Sequence, residues 1–294
     1  MTDPWDAVDP AEVRRLIATA LDEDLRLGPD VTTEATVAAD AAGTAHVVAR
    51  QPGTIAGVPV AIEVLREVAS RLGATTSVEV VRADGARVAA GDTVLSITGP
   101  IRCLLTAERT LLNFLGQLSG VATVTAAWAD AIAGTGAQVR DTRKTVPGLR
   151  SLQKYAVVCG GGVNHRMALG DAALIKDNHV AAAGSVEAAF RAVREHSPAI
   201  TVEVECDTLS QVREAVTAGA ELVLLDNFDL ADTVEAVALC RTAGVRTEAS
   251  GGLTLERARE VASTGVDYLA VGALTHSAPV LDLGLDLSPS PSAG

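Results

Sequence analysis

Apolar residues in this chain follow two rhythms. "VDPAEVRRLIATALDEDL" repeats them at helical spacing, with Asp9 as N-cap and Pro10 at the first helical position. "PVAIEVLREVASRLG" is a second amphipathic helix, closed by Gly73. Between them, "GTAHVVARQ" reads as a strand, and "TTSVEVVRADGARVAAGDTVLSITGP" alternates around glycine turns like a small β-unit. After residue 135 short apolar runs recur, each followed by a helical stretch: "AQVRD" (137–141), "AALIKD" (172–177), "TVEVEC" (201–206), "LVLLDN" (222–227), "VRTEAS" (245–250) and "DYLAVGA" (267–273). The last four begin 21, 23 and 22 residues apart, one strand plus one helix per period, which predicts a parallel β/α barrel. Asp207 and Asp229 stand where they would cap the helices after the strands at 201 and 222.

Composition agrees with a layered α/β protein. The 294 residues are 48% hydrophobic but only 2% aromatic, so the core is one of Ala, Val and Leu. A formal net charge of -13 argues against nucleic acid or an anionic membrane as partner. Cys103, Cys159, Cys206 and Cys240 form no C-x-x-C pair and read as buried apolar residues in a reducing compartment. The acidic "MTDPWDAVDP" carries no apolar signal region, so the expected location is the cytoplasm. "TLLNFLGQLSGVATVTAAWA" (110–129) is uncharged for 20 residues, the length of a membrane span. Asn113, Gln117, Ser119 and two glycines interrupt it, which favours a helix buried in a core or a subunit interface.

The cations are distributed unevenly. Of 24 basic residues only three are lysine, and Lys144, Lys154 and Lys176 all fall within 33 residues. From 140 to 177 seven basic residues stand against three acidic ones, a local cationic site in an acidic protein and so a candidate receptor for a small, highly charged anion. In a β/α barrel chemistry sits at the C-terminal ends of the strands. Those ends carry Asp141-Thr142-Arg143-Lys144, Lys176-Asp177-Asn178-His179, Glu205, Asp226-Asn227, Ser250-Gly251-Gly252 and Gly272. With Asp207 and Asp229 as caps, Glu205 and Asp226 are left to point into the mouth. Arginine grips carboxylate or phosphate through two parallel hydrogen bonds, while lysine acts as a point charge. Two carboxylates in a phosphate-binding mouth call for a divalent cation, and Mg²⁺ takes one or two carboxylates plus substrate phosphates. A lysine at a strand end also suits a Schiff-base aldolase, given a desolvated amine.

"DTRKTVPGLRSLQKYAVVCGGGVNHRMALGDAALIKDNH" closely resembles the quinolinate phosphoribosyltransferases, and the likeness continues through "AERTLLNFL", "VEVEC", "LLDNF", "EASGG" and "VGALTHSAPVLDLGLD". The resemblance implies an N-terminal α/β sandwich (1–116, rejoined by 275–294) and an incomplete, TIM-like β/α barrel (117–274). It implies transfer of phosphoribose from 5-phosphoribosyl-1-pyrophosphate to quinolinate, with nicotinate mononucleotide, pyrophosphate and carbon dioxide as products. Arg143, His165, Arg166 and Lys176, with Thr142 beside them, would hold the quinolinate carboxylates, and Arg109 would reach in from a partner subunit of a homodimer or larger homo-oligomer. Lys144 would contact the donor, Glu205 and Asp226 would hold Mg²⁺, and Ser250, Gly251, Gly252, Gly272 and Ala273 would line the 5-phosphate end. The catalytic set is then Lys144, Lys176, Glu205 and Asp226. The tail "SPSPSAG" lies outside the likeness and reads as disordered. Two rivals stand beside this reading: a nicotinate phosphoribosyltransferase, which needs one carboxylate clamp, and a non-catalytic receptor for a pyridine diacid.

Overall fold

The structure is a computed structural model that describes residues 4–290. The chain divides into two compact units: Met1–Val124, Val146–Gly161 and Ser277–Gly294 form the first, Thr125–Thr145 and Gly162–His276 the second. The segment 146–161, which the sequence division at 116/117 had assigned to the barrel, makes its contacts in the first unit.

The first unit contains β1 (Ala42–Ala49), β2 (Gly53–Thr54), β3 (Ser77–Val80), β4 (Arg87–Val88) and β5 (Thr93–Pro100). Helices cover them, beginning with Pro10–Leu25, whose N-cap Asp9 accepts from the Ala11 N–H at 2.8 Å. That helix buries Val13, Ile17 and Leu21, and Val58–Arg71 buries Val60, Ala61, Val64, Leu65 and Val68. The uncharged stretch is part of one long helix, Ile101–Ala131. No helix among the described residues is long and apolar enough to cross a membrane. Two hydroxyls of the Ile101–Ala131 helix bond inside the unit: Ser119 Oγ accepts from the Ala56 N–H at 3.0 Å and Thr123 Oγ1 from the Thr54 N–H at 2.8 Å. Backbone donors that a helix or ladder cannot satisfy are thereby paired without water.

The second unit carries β6 (Gln138–Arg140), β7 (Ala173–Ile175), β8 (Val202–Cys206), β9 (Leu222–Asp226), β10 (Arg246–Ser250) and β11 (Tyr268–Ala270). All six periodic runs therefore contain a strand. They form one parallel sheet in the order β6-β11-β10-β9-β8-β7. The two edge strands are not paired with each other, as in an incomplete barrel. Apolar residues of the strands and of the covering helices make the core; Val202, Val204, Val212, Val223, Ala236 and Leu269 are fully buried. The helix after β8 starts one residue later than the sequence indicated. Thr208, and not Asp207, is its N-cap and forms a capping box with Gln211. Asp229 caps the helix after β9, accepting from the Asp232 N–H at 2.8 Å.

The last strand, β12 (Leu283–Pro289), belongs to the first unit and pairs antiparallel with β1, completing the sheet β12-β1-β5-β3. The expected disordered tail is thus ordered through Pro289, and Ser290 N–H donates to Ala42 O at 3.0 Å; residues 291–294 of that expectation lie outside the described residues. The approach to β12 presses on the long helix at Gly120, where a Cβ would collide with the Pro279 carbonyl. Replacing Gly120 by Ala should destabilise the protein by about 1–3 kcal/mol through overpacking. Thermal unfolding would register this as a lower midpoint, and an unchanged midpoint would refute the close approach.

Candidate active site

Side chains alternate along a strand, so a residue at a strand's C-terminal mouth shares its face with the residue two positions earlier. Applied to the sheet of the second unit, this rule generates two layers. Thr142, Lys176, Glu205, Asp226, Ser250 and Gly272 follow from the mouth positions. Arg140, Leu174, Glu203, Leu224, Glu248 and Ala270 are their partners beneath. Register staggers the two sets across strands: Ser250 stands opposite Asp226, another mouth residue, whereas Glu205 stands opposite Leu224, one of the residues beneath.

A cavity of about 400 Å³ opens here, lined by Thr142, Arg143, Lys144, His165, Arg166, Lys176, Glu205, Asp226 and Ser250 above Leu174, Leu224, Glu248 and Ala270. Nine residues singled out from sequence thus share one cavity, though they span 109 positions of the chain. Gly251 and Gly252 lie in an adjoining small cavity that shares Ser250. Gly272 lies against Lys144, since a Cβ there would be 3.0 Å from Lys144 Cδ, and Ala273 begins the short helix Ala273–His276. Arg109 belongs to the first unit, exposed on its long helix.

Local bonds position the cations. Thr142 Oγ1 accepts from the Lys144 N–H at 3.0 Å, and Thr275 Oγ1 donates to Lys144 O at 2.8 Å. Buried Asp141 accepts from the His165 N–H at 2.8 Å, so the segment bearing His165 and Arg166 is tied to the end of β6. Arg166 donates to Ala172 O at 3.0 Å. Burial, and then the charge of Arg143, hold the Arg166 guanidinium below its ordinary value. Arg143 Nε is buried with no hydrogen-bond partner. Two guanidiniums pushed together, one with an unsatisfied donor, make a site that an anion stabilises.

Lys176 forms an ion pair with Glu205, and its side chain is 44% exposed. An aldolase amine needs a desolvated setting, which this lysine does not have. Glu205 and Asp226 stand at the ends of the neighbouring strands β8 and β9. They are hard oxygen donors of the kind Mg²⁺ takes together with phosphate oxygens, so the donor set fits that ion.

Beneath the cations is an acidic group that the sequence reading missed. Arg140 donates to Glu248 Oε2 at 2.7 Å, and His165 Nε2 lies 2.8 Å from Glu203 Oε2 and 3.7 Å from Glu248 Oε1. His165 Nδ1 accepts the Arg166 N–H at 2.7 Å, so the proton of a neutral ring sits on Nε2 and faces Glu203. Burial pushes the Glu203 carboxyl up to about 7. Burial, then the nearby Glu203, push Glu248 up to about 7 as well. Only the period of two, counted back from Glu205 and Ser250, would have located these residues.

These features define an α/β protein with a six-stranded parallel sheet of incomplete-barrel type, whose strand ends gather cations and a pair of carboxylates in one cavity. Residues 30–119 match the family model "Quinolinate phosphoribosyl transferase, N-terminal domain", and 121–286 match the "C-terminal domain" model of the same family. The chain is 56% identical over 276 residues to the nicotinate-nucleotide pyrophosphorylase [carboxylating] of Mycobacterium leprae, covering 93% of this chain and 96% of that protein. It is 37% identical over 295 residues to quinolinate phosphoribosyltransferase [decarboxylating] 1b of Nicotiana tabacum, covering 94% of this chain and 82% of the relative. The solved nicotinate-nucleotide pyrophosphorylase of Francisella tularensis superposes with a TM-score of 0.89 at 37% identity, covering 96% of this chain and 98% of the other. The chain belongs to the quinolinate phosphoribosyltransferase family.

The buried carboxyls carry a pH signature. A carboxyl raised from 4.5 to about 7 stays protonated in the folded protein after the unfolded chain has released its proton. Folded stability from these groups therefore falls as pH rises through that window. Glu203→Gln removes one such contribution. The stability of that variant relative to the parent should rise between about pH 5 and 7.5, measured by denaturant unfolding at each pH. A difference that is flat across the window would show that Glu203 is not raised.

Proposed function

We propose that this chain transfers the phosphoribosyl group of 5-phosphoribosyl-1-pyrophosphate to quinolinate and decarboxylates the adduct, giving nicotinate mononucleotide, pyrophosphate and carbon dioxide for NAD synthesis. The observation that carries this reading is the convergence of Arg143, Arg166 and Lys176 on one cavity beside Glu205 and Asp226, with the buried Arg143 Nε lacking an acceptor. A diacid supplies two anionic groups for three cations, whereas nicotinate supplies one. A plain anion receptor gains nothing from the two carboxylates.

Arg143, Arg166 and Lys176 bind the quinolinate carboxylates and orient the ring, with charge-assisted bonds of about 1.5–3 kcal/mol each. His165, packed behind Arg166, completes that wall. The pyridine nitrogen bonds to ribose C1 as the bond from C1 to the pyrophosphate oxygen breaks. Glu205 and Asp226 would hold the metal, and their negative charge offsets the positive charge that develops on the ribose. Mg²⁺, when bound, supplies charge neutralisation on the departing pyrophosphate. Lys176 exchanges Glu205 for a substrate carboxylate, which leaves Glu205 for the metal. Lys144 contacts the donor, while Ser250, Gly251, Gly252, Gly272 and Ala273 receive its 5-phosphate. The carbon–carbon bond to the 2-carboxylate then breaks, carbon dioxide leaves, and the electron pair on the ring carbon takes a proton beside the cationic wall.

The working protein is a homodimer or larger homo-oligomer in which Arg109 of one copy serves the site of another; its exposed position on the long helix supports this role. None of the four cysteines forms a disulfide, in keeping with a reducing, cytoplasmic setting.

Incubation with quinolinate, 5-phosphoribosyl-1-pyrophosphate and Mg²⁺ should release carbon dioxide and pyrophosphate and form nicotinate mononucleotide. Nicotinate in place of quinolinate should give no turnover; equal turnover would overturn the diacid assignment. Arg143→Ala should weaken quinolinate binding by roughly tenfold or more, and calorimetry showing native affinity would remove Arg143 from the clamp. Inactive Arg109→Ala mixed with inactive Arg143→Ala should regain part of the activity through hybrid sites. No recovery after demonstrated subunit exchange would rule out a shared site.

A further inference from the structure

Asn227 is the only residue other than glycine with a positive φ, 56°, among the described residues. Positive φ is uncommon outside glycine, and asparagine tolerates it best because its short amide bonds locally. Here three connections surround the one residue. Its N–H donates to Ser250 O at 2.9 Å, tying the end of β9 to the end of β10. Its Nδ2 donates to Asp226 Oδ2 at 2.8 Å. Its Oδ1 lies where a Cβ on Gly251 would have to be, so the amide packs directly on the turn formed by Gly251 and Gly252, both of positive φ.

We propose that Asn227 is a positioning residue for the phosphoribosyl donor. It joins the carboxylate assigned to the metal and the glycine turn assigned to the 5-phosphate into one rigid unit. This rests on the function proposed above, which gives Asp226 and Gly251 those tasks. The donor carries a phosphate at one end and a pyrophosphate at the other, so its recognition depends on the spacing of two sites. A carboxylate fixed by a neighbouring amide is held in one rotamer before the ligand arrives, which reduces the ordering cost at binding. The strained φ is a feature that the surrounding bonds maintain.

Two substitutions separate this role from a general effect on folding. Asn227→Gly adopts the same φ without strain and removes the amide. Asn227→Asp keeps the shape and the tolerance for positive φ but cannot donate to Asp226. Isothermal titration calorimetry with 5-phosphoribosyl-1-pyrophosphate and MgCl₂, and separately with quinolinate, reads each ligand without turnover. Both variants should bind the donor about five- to tenfold more weakly, the loss of one hydrogen bond to a charged group in a part-exposed setting, while quinolinate affinity stays within about twofold of the parent. Donor affinity equal to the parent's in either folded variant would overturn the proposal. An equal loss on both ligands would also overturn it, because that marks damage to the fold. A parent protein that binds no magnesium complex of the donor would instead overturn the function on which the proposal rests.

Discussion

The constraint on which the site depends is the alternation of side chains along parallel strands. A strand in this sheet is buried along its length but ends at a mouth, so its last inward position faces a cavity while the position two residues earlier faces the interior. Six parallel strands, staggered against one another, turn this rule into a set of residues at the mouth and a set beneath them. Charged residues that are scattered along the chain become neighbours because the sheet aligns their strand ends.

The layers carry opposite demands. In the upper layer cations lack full pairing: Arg143 has a buried, unsatisfied Nε, and Arg166 is depressed by burial and then by its neighbour Arg143. In the lower layer, Glu203 and Glu248 lie almost wholly inside and hold their protons to about neutral pH. His165 ties the layers, since it reaches down to Glu203 while its backbone is held by Asp141 and its Nδ1 by Arg166, and Arg140 pairs with Glu248 within the lower one. A wall of like charges is costly to assemble without counter-charges, and the buried acids supply them from behind only as they ionise near and above pH 7, while leaving the front open to a ligand.

The glycine turn after β10 and the asparagine after β9 belong to the same economy of geometry. Gly251, at φ 87°, adopts a backbone conformation that side-chain-bearing residues rarely take. Asn227 fills the space that a side chain on Gly251 would have occupied.

Much of this was legible in the chain itself. Apolar period and spacing are local properties, and they located all six barrel strands. Charge bias located the cations, because lysine is rare here and clusters. The helix cap at Thr208 was misplaced by one residue, since Asp207 and Thr208 are both competent caps and only backbone geometry selects between them. The buried acids escaped notice because a glutamate in an apolar run looks like an interruption until its strand is paired. The tail joined a sheet for a reason that local composition cannot express: β1 had an open edge, and β12 fills it. The sequence by itself determined the elements, their order and the chemical types available at each strand end, because these follow from neighbours along the chain. Tertiary structure alone decided which of those groups meet, which are buried deeply enough to keep a proton and which are left without a partner, because such properties arise from contacts between residues far apart in the chain and from the solvent those contacts exclude.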